Sequence, residues 1–123
     1  MELQDYFENT TGTGILSTAD SDGKVDAAIY SRPHFVDNKI TFIMRDRLSH
    51  KNLTSNPHAV FLFIEKGKGY NGKRLYLTMV GEEKNSERID SLKRRKKYPP
   101  TEEDRFLVFF ELNHERPLVG DSD

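Results

Sequence analysis

Apolar residues along this chain come in short bursts set between turn-forming residues, and the period changes from one burst to the next. Leu3, Tyr6 and Phe7 fall at helical spacing and predict a short first helix, ended between Asn9 and Gly14 where threonines and two glycines follow. Strand patterns then take over. GILSTAD reads as the first strand, Asp20 to Gly23 as its turn, KVDAAIYSRPHF as a long second strand, and VDNK as the turn into ITFIMR. Ser49 stands where an N-cap belongs, ahead of a short helix over HKNLTS. Asn56-Pro57 stops that helix, because the residue before proline avoids helical backbone angles. HAVFLFIE is almost continuously apolar, the pattern of a fourth strand buried on both faces.

The glycine-rich KGKGYNGK is then a hairpin tip. RLYLTMVG returns as a fifth strand with Leu75, Leu77 and Met79 on one face, and RFLVFFEL is the sixth. Between these last two, NSERIDSLKRRKKY offers only Ile89 and Leu92 as apolar contacts. That is a mostly solvated helix, stopped by Pro99-Pro100. Six strands joined by turn-length links favour a closed antiparallel barrel, since parallel strands would need long helical crossovers. The expected class is mainly β (α+β), a six-stranded antiparallel barrel with short flanking helices, in a single domain over residues 1–123.

Composition narrows the chemistry. Nineteen Lys and Arg against 20 Asp and Glu leave a net charge of -1, so no whole-molecule field draws in a polyanion. Cysteine is absent, which excludes disulfides, thiolate nucleophiles and thiolate-bound metals. The start MELQDYFENT has no signal-peptide character and no stretch approaches a membrane span, so a cytoplasmic, membrane-free protein is expected. Mean hydropathy is -0.74, yet aromatics reach 11% and cluster in strands. A lone 123-residue barrel could not cover all of them, which points to a subunit interface.

Several motifs lose their meaning in context. Gly67 to Gly72 spells GxGxxG, and with Lys73 also GxxxxGK. Both mechanisms need a helix to open after the glycines; here a strand opens, and Arg74 stands where the phosphate loop has Ser or Thr. His34, His50, His58 and His114 show no paired-ligand spacing, and no nucleophile elbow exists, so neither a metal nor a catalytic side chain is assigned. Lys93 to Lys97 with Tyr98 is a basic-aromatic run of the kind that grips single strands. Glu82, Glu83 and Glu102 to Asp104 flank it, and a solvated helix face is the simpler account, so nucleic acid is disfavoured.

RDRLSHKNLTSN, residues 45–56, combines several elements of anion recognition. Ser49 as N-cap would leave the amides of His50 and Lys51 free at a helix start, beside hydroxyl, imidazole and ammonium groups. A phosphate site and a plain surface cap both satisfy this pattern.

In order and spacing, GILSTADSDGKVDAAIYSRPHF, ITFIM and LSHKNLTSNPHAVFLF resemble the pyridoxamine 5′-phosphate oxidase-like family of FMN-binding split barrels. The likeness runs over residues 12–84 and includes Ser49-His50-Lys51, Asn56-Pro57 and the LTMVGEE stretch. It implies a split form of the barrel and a homodimer with FMN sites at the subunit interface. The phosphate is expected on Ser49, His50 and Lys51, with Asn52 completing the segment. The isoalloxazine ring is expected along Ala28, Ile29, Tyr30, Ser31 and Arg32 and along Ile43 and Met44, largely through backbone. Where relatives carry phosphate arginines this chain has Ala28 and His50, so Arg32, Arg45 or Arg47 would compensate. Arg32-Pro33 also resembles the general-stress branch, which allows a second register.

The full oxidase carries substrate residues in a C-terminal extension, whereas this chain closes on ERPLVGDSD. The resemblance therefore implies a small flavin reductase or electron carrier with an unidentified small-molecule redox partner, in which the cofactor supplies the redox chemistry. Two alternatives stay open: a cofactor-free binding module, and a relative holding a deazaflavin or haem, the latter through His34, His50 or His114.

Overall fold

A computed structural model of the chain describes residues 2–92 and 103–120. Helix α1 (Glu2–Asn9) leads into strands β1 (Gly12–Ala19), β2 (Val25–Tyr30), β3 (His34–Val36) and β4 (Lys39–Arg45), followed by helix α2 (Leu48–Ser55). Strands β5 (His58–Glu65) and β6 (Gly72–Lys84), helix α3 (Arg88–Leu92) and strand β7 (Arg105–Pro117) complete it. All pairings are antiparallel, in the spatial order β2-β1-β5-β6-β7-β4-β3.

The mainly β class holds, with seven strands in place of six. The added strand arises where a long second strand was expected. That segment breaks at Ser31-Arg32-Pro33, so that β2 pairs with β1 and β3 pairs with β4. Pro33 cannot donate to a ladder, and Arg32 turns away to donate from Nη1 to the carbonyls of Phe7 (2.8 Å) and Thr10 (3.1 Å) at the end of α1. The chain thereby passes from one end of the sheet order to the other.

The turn signals worked where their chemistry is local. Asp20 Oδ1 accepts from the amides of Asp22 and Lys24, both at 2.9 Å, and Gly23 takes φ 83°, as the β1–β2 hairpin requires. Residues 66–71 form the β5–β6 hairpin tip, with a strand and no helix after it. Lys73, at the start of β6, pairs with Glu115 and lies over the Tyr6 ring, a structural role. The basic run Lys93 to Lys97 lies outside the described residues.

The barrel interior is largely aromatic: Phe7, Phe42, Phe61, Phe63, Phe106 and Phe110 join Leu16, Ile40, Met44, Leu53, Leu75 and Leu77. β5 is not buried on both faces. Ala59, Phe61 and Phe63 point inward, while Val60, Leu62 and Ile64 line the outer surface of the sheet. Of the helix expected over 85–98, Arg88–Leu92 form α3, whose apolar contacts are Ile89, fully buried against Leu107 and Phe109 in a second cluster outside the barrel, and Leu92; residues 93–98 lie outside the described residues.

Helix α1 docks through Tyr6, whose hydroxyl donates to Glu65 Oε2 at 2.6 Å. Burial, then the bond to the Glu65 carboxylate, push the phenol far above the tyrosine range. The folded state keeps this proton more tightly than the unfolded chain, so the contribution is complete below about pH 10 and declines above it. Denaturant melts at increasing alkalinity are expected to show a steeper loss for the native sequence than for Tyr6→Phe; parallel curves would contradict this.

Candidate functional site

The site region forms where the barrel does not close. β2 pairs only with β1, and β3 ends opposite Thr41, so beyond Thr41 β4 pairs only with β7. Two strand edges, along Val25–Tyr30 and along residues 42–45, therefore present backbone amides and carbonyls with no strand partner among the described residues. Helix α2 follows β4 at once and packs against β1, β2 and β4.

Polar links fix α2 in place. Asn52 Nδ2 donates to Thr18 Oγ1 at 3.1 Å, and both residues are buried. The Ser49 hydroxyl faces the Tyr30 phenol; burial raises that phenol's pKa, Ser49 opposes the rise, and the charge of Asp26 adds to it. The buried His50 ring stacks on Phe106 at 3.7 Å and 14°, and its Nε2 lies 2.6 Å from Glu82 Oε1. Ser49, His50 and Asn52 thus hold the helix to the barrel through their side chains.

The helix start sits two residues earlier than expected. Arg47 is the N-cap, with extended backbone (φ -135°, ψ -172°) and no side-chain cap bond, and Ser49 lies inside the first turn. From that position its hydroxyl, which lies beside the Tyr30 phenol, does not cap. The Lys51 amide donates to the Arg47 carbonyl at 3.0 Å, which leaves the amides of Leu48, Ser49 and His50 with no backbone acceptor among the described residues. The Lys51 side chain is exposed and has no ionic partner among the described residues.

The other expected residues divide between interior and edge. Ala28 and Tyr30 are half-buried on β2, and Ile29 points outward at 72% exposure. Tyr30 pairs with Gly14, where a Cβ would fall 2.5 Å from the Tyr30 carbonyl oxygen, so glycine permits this close strand approach. Met44 is buried inside the barrel and Ile43 packs outside it against the Ile89 cluster, so neither side chain faces the open edge, where alternate residues of β4 present their backbone groups. Ser31 is exposed in the connector, and Arg32 is bonded to the end of α1.

Two features of the region were missed. In sequence, Glu82 and Glu103 only flank the basic run, yet each holds a partner beside α2. Glu103 accepts from Arg47 Nε (3.0 Å) and Nη2 (3.3 Å) and lies 3.6 Å from Arg45 Nη1. The bond to Arg47 holds the Glu103 carboxyl below its usual range and raises the guanidinium. These partners are separated by 32 and 56 residues, so no local pattern could have joined them. A separate cleft of about 770 Å³, lined by Leu3, Tyr6, Ile40, Lys73, Phe110 and Glu115 among others, contains none of the expected site residues.

No protein-family model matches the chain, and no curated protein matches it. Solved structures do. An FMN-binding protein from Syntrophomonas wolfei subsp. wolfei superposes with a TM-score of 0.67 at 21% identity, over 97% of this chain and 88% of that one. A pyridoxamine 5′-phosphate oxidase-type protein from Listeria innocua gives 0.64 at 13% identity, over 95% of each chain. The fold is the pyridoxamine 5′-phosphate oxidase-like split barrel. An F420 reductase shares it, with a TM-score of 0.64 at 15% identity over 90% of this chain and 94% of that one. Split barrels similar to this one also include a heme binding protein from Mycobacterium smegmatis. The two unpaired edges and the helix lying across them are the split in this chain.

Proposed function

We propose that this protein is an FMN-binding homodimer that works as a small flavin reductase or electron carrier for a small-molecule redox partner. The observation that carries the reading is the opening between β2 and β4, with the start of α2 beside it. The donor set fits the cofactor. Three free amides, the exposed Lys51 ammonium and nearby arginines suit a phosphomonoester dianion, and the unpaired edges supply the alternating donors and acceptors that a flat heteroaromatic ring needs. Bound flavin would supply hydride or electron transfer. The chain's own part is to hold the phosphate at α2 and line the ring with backbone, and no side chain is assigned a proton-transfer role.

Haem fits less well. Of the histidines named for it, the one at the site, His50, is buried, stacked on Phe106 and paired with Glu82, so its ring is already committed.

The outer face supports the dimer. Val25 and Ile29 are 84% and 72% exposed, and the strand register places Ile29 beside Ile15 and Leu62, and Ala27 beside Ser17 and Val60. This apolar surface runs from the open edge of β2 across β1 and β5, so a second copy seated on it would border the split. Sedimentation is expected to give twice the 14.3 kDa chain mass, and Ile29→Asp a folded monomer. A monomeric native protein at micromolar concentration would remove the dimer from the proposal. The cofactor is tested by the spectrum of protein purified without additions, expected to absorb near about 450 nm as oxidised flavins do. A Soret band would favour haem. No chromophore and no flavin uptake would favour a cofactor-free binding module.

A further inference from the structure

Arg32 is bonded to α1, and Ala28 carries no charge, so of the three arginines named as substitutes Arg45 and Arg47 remain to assist Lys51 at the start of α2. Both are exposed, and both face one acceptor. The Glu103 carboxylate takes Arg47 side-on through two bonds and reaches Arg45 at 3.6 Å, as a planar oxyanion takes an arginine fork. Arg47 is also the N-cap, so its guanidinium is carried on the residue from which the free amides follow. The chain's own carboxylate thus lies on the arginine pair that a ligand's phosphate would use.

We infer that Arg47 and Arg45 complete the phosphate subsite, and that Glu103 is a built-in competing anion that the phosphate must displace. The inference rests on the flavin reading above and adds to it a reason for discrimination. A monoanion bound through exposed contacts is weakly held, and a phosphate dianion backed by helix amides and Lys51 can replace it; a neutral flavin gains nothing by doing so.

The test uses the full chain and titrates FMN and riboflavin against the native protein, Glu103→Gln, Arg47→Gln, and Glu103→Gln in an Arg45→Gln/Arg47→Gln background. Removing the Glu103 charge is expected to tighten FMN about two- to fivefold, the range for an exposed ion pair, and to leave riboflavin unchanged. Arg47→Gln weakens FMN, and in the double-arginine background Glu103→Gln gives no gain. Unchanged or weaker FMN binding in Glu103→Gln, or an equal gain for riboflavin, overturns the inference. If the native protein takes up neither flavin, the flavin reading falls on its own, and inorganic phosphate followed through the Arg47 Nε–H resonance decides this one. A shift at lower phosphate in Glu103→Gln than in the native chain supports it. Equal shifts, or none, overturn it.

Discussion

Lys51→Ala is expected to weaken FMN by about tenfold to a hundredfold and to leave riboflavin almost unaffected. The estimate is about 1.5–3 kcal/mol, the usual range for a hydrogen bond to a charged group. The effect is readable because no side-chain contact of Lys51 holds the fold among the described residues. Its side chain is exposed with no ionic partner among the described residues, and its backbone amide, which binds the Arg47 carbonyl, survives the substitution. Alanine also suits a helix, so stability should hold within about 0.5 kcal/mol. Fluorescence titration of both flavins is the measurement, and equal losses for the two ligands would show that no phosphate rests on Lys51. Ser49→Ala is a poorer probe. Ser49 is not the helix cap but the partner of the Tyr30 phenol, so its loss disturbs a link between α2 and β2 as well as any ligand contact.

The architecture was legible where a signal is local and repeated. Asp20 to Gly23 is a turn because an aspartate can bond the amides ahead of it, and HAVFLFIE is a strand from end to end. Helix α2 was visible through its stop at Asn56-Pro57. The start of that helix was not, since Ser49 has cap chemistry but spends it on Tyr30, contributed by another element. The break after Tyr30 was hidden for a similar reason. Nothing within KVDAAIYSRPHF states that its two halves pair with strands at opposite ends of the sheet, and it is the bond from Arg32 to the end of α1 that marks the crossing. Ile89 and Leu92 were legible as the contacts of α3, and one fully buried isoleucine over Leu107 and Phe109 is enough to seat a short helix.

The candidate site was legible as a segment and not as an arrangement. Order and spacing located residues 45–56, but the inward commitment of Ser49, His50 and Asn52 depends on Tyr30, Glu82 and Thr18, which the fold brings from β2, β6 and β1. What faces outward is Lys51, the free amides and the arginine pair. That division separates side chains whose replacement should damage the barrel from those whose replacement should damage only anion binding.

The largest loss of stability is expected at Phe61. Its side chain is fully buried at the centre of the barrel, with ring centroids 5.0 Å from Phe42, 6.1 Å from Phe7 and 6.3 Å from Phe63. It also fills the space that Gly14 leaves, since a Cβ there would meet the Phe61 ring at 2.4 Å. Phe61→Ala removes the transfer energy of the ring and leaves a cavity between neighbours fixed on β1, β4 and α1, for about 3–5 kcal/mol. Against a total of about 5–15 kcal/mol for a domain, that removes a large fraction of the stability and lowers the melting temperature by about 10–20 °C. Gly14→Ala should not repair the cavity. Taking away the ring relieves only one of its two clashes, because the Tyr30 carbonyl oxygen would still stand 2.5 Å from the new methyl group, and that oxygen belongs to the β1–β2 backbone. Chemical denaturation of both single variants and the double variant measures this. A loss below about 1 kcal/mol for Phe61→Ala would mean that Phe7, Phe42 and Phe63 repack into the space, and recovery of stability in the double variant would mean that the β1–β2 pair can shift as a unit.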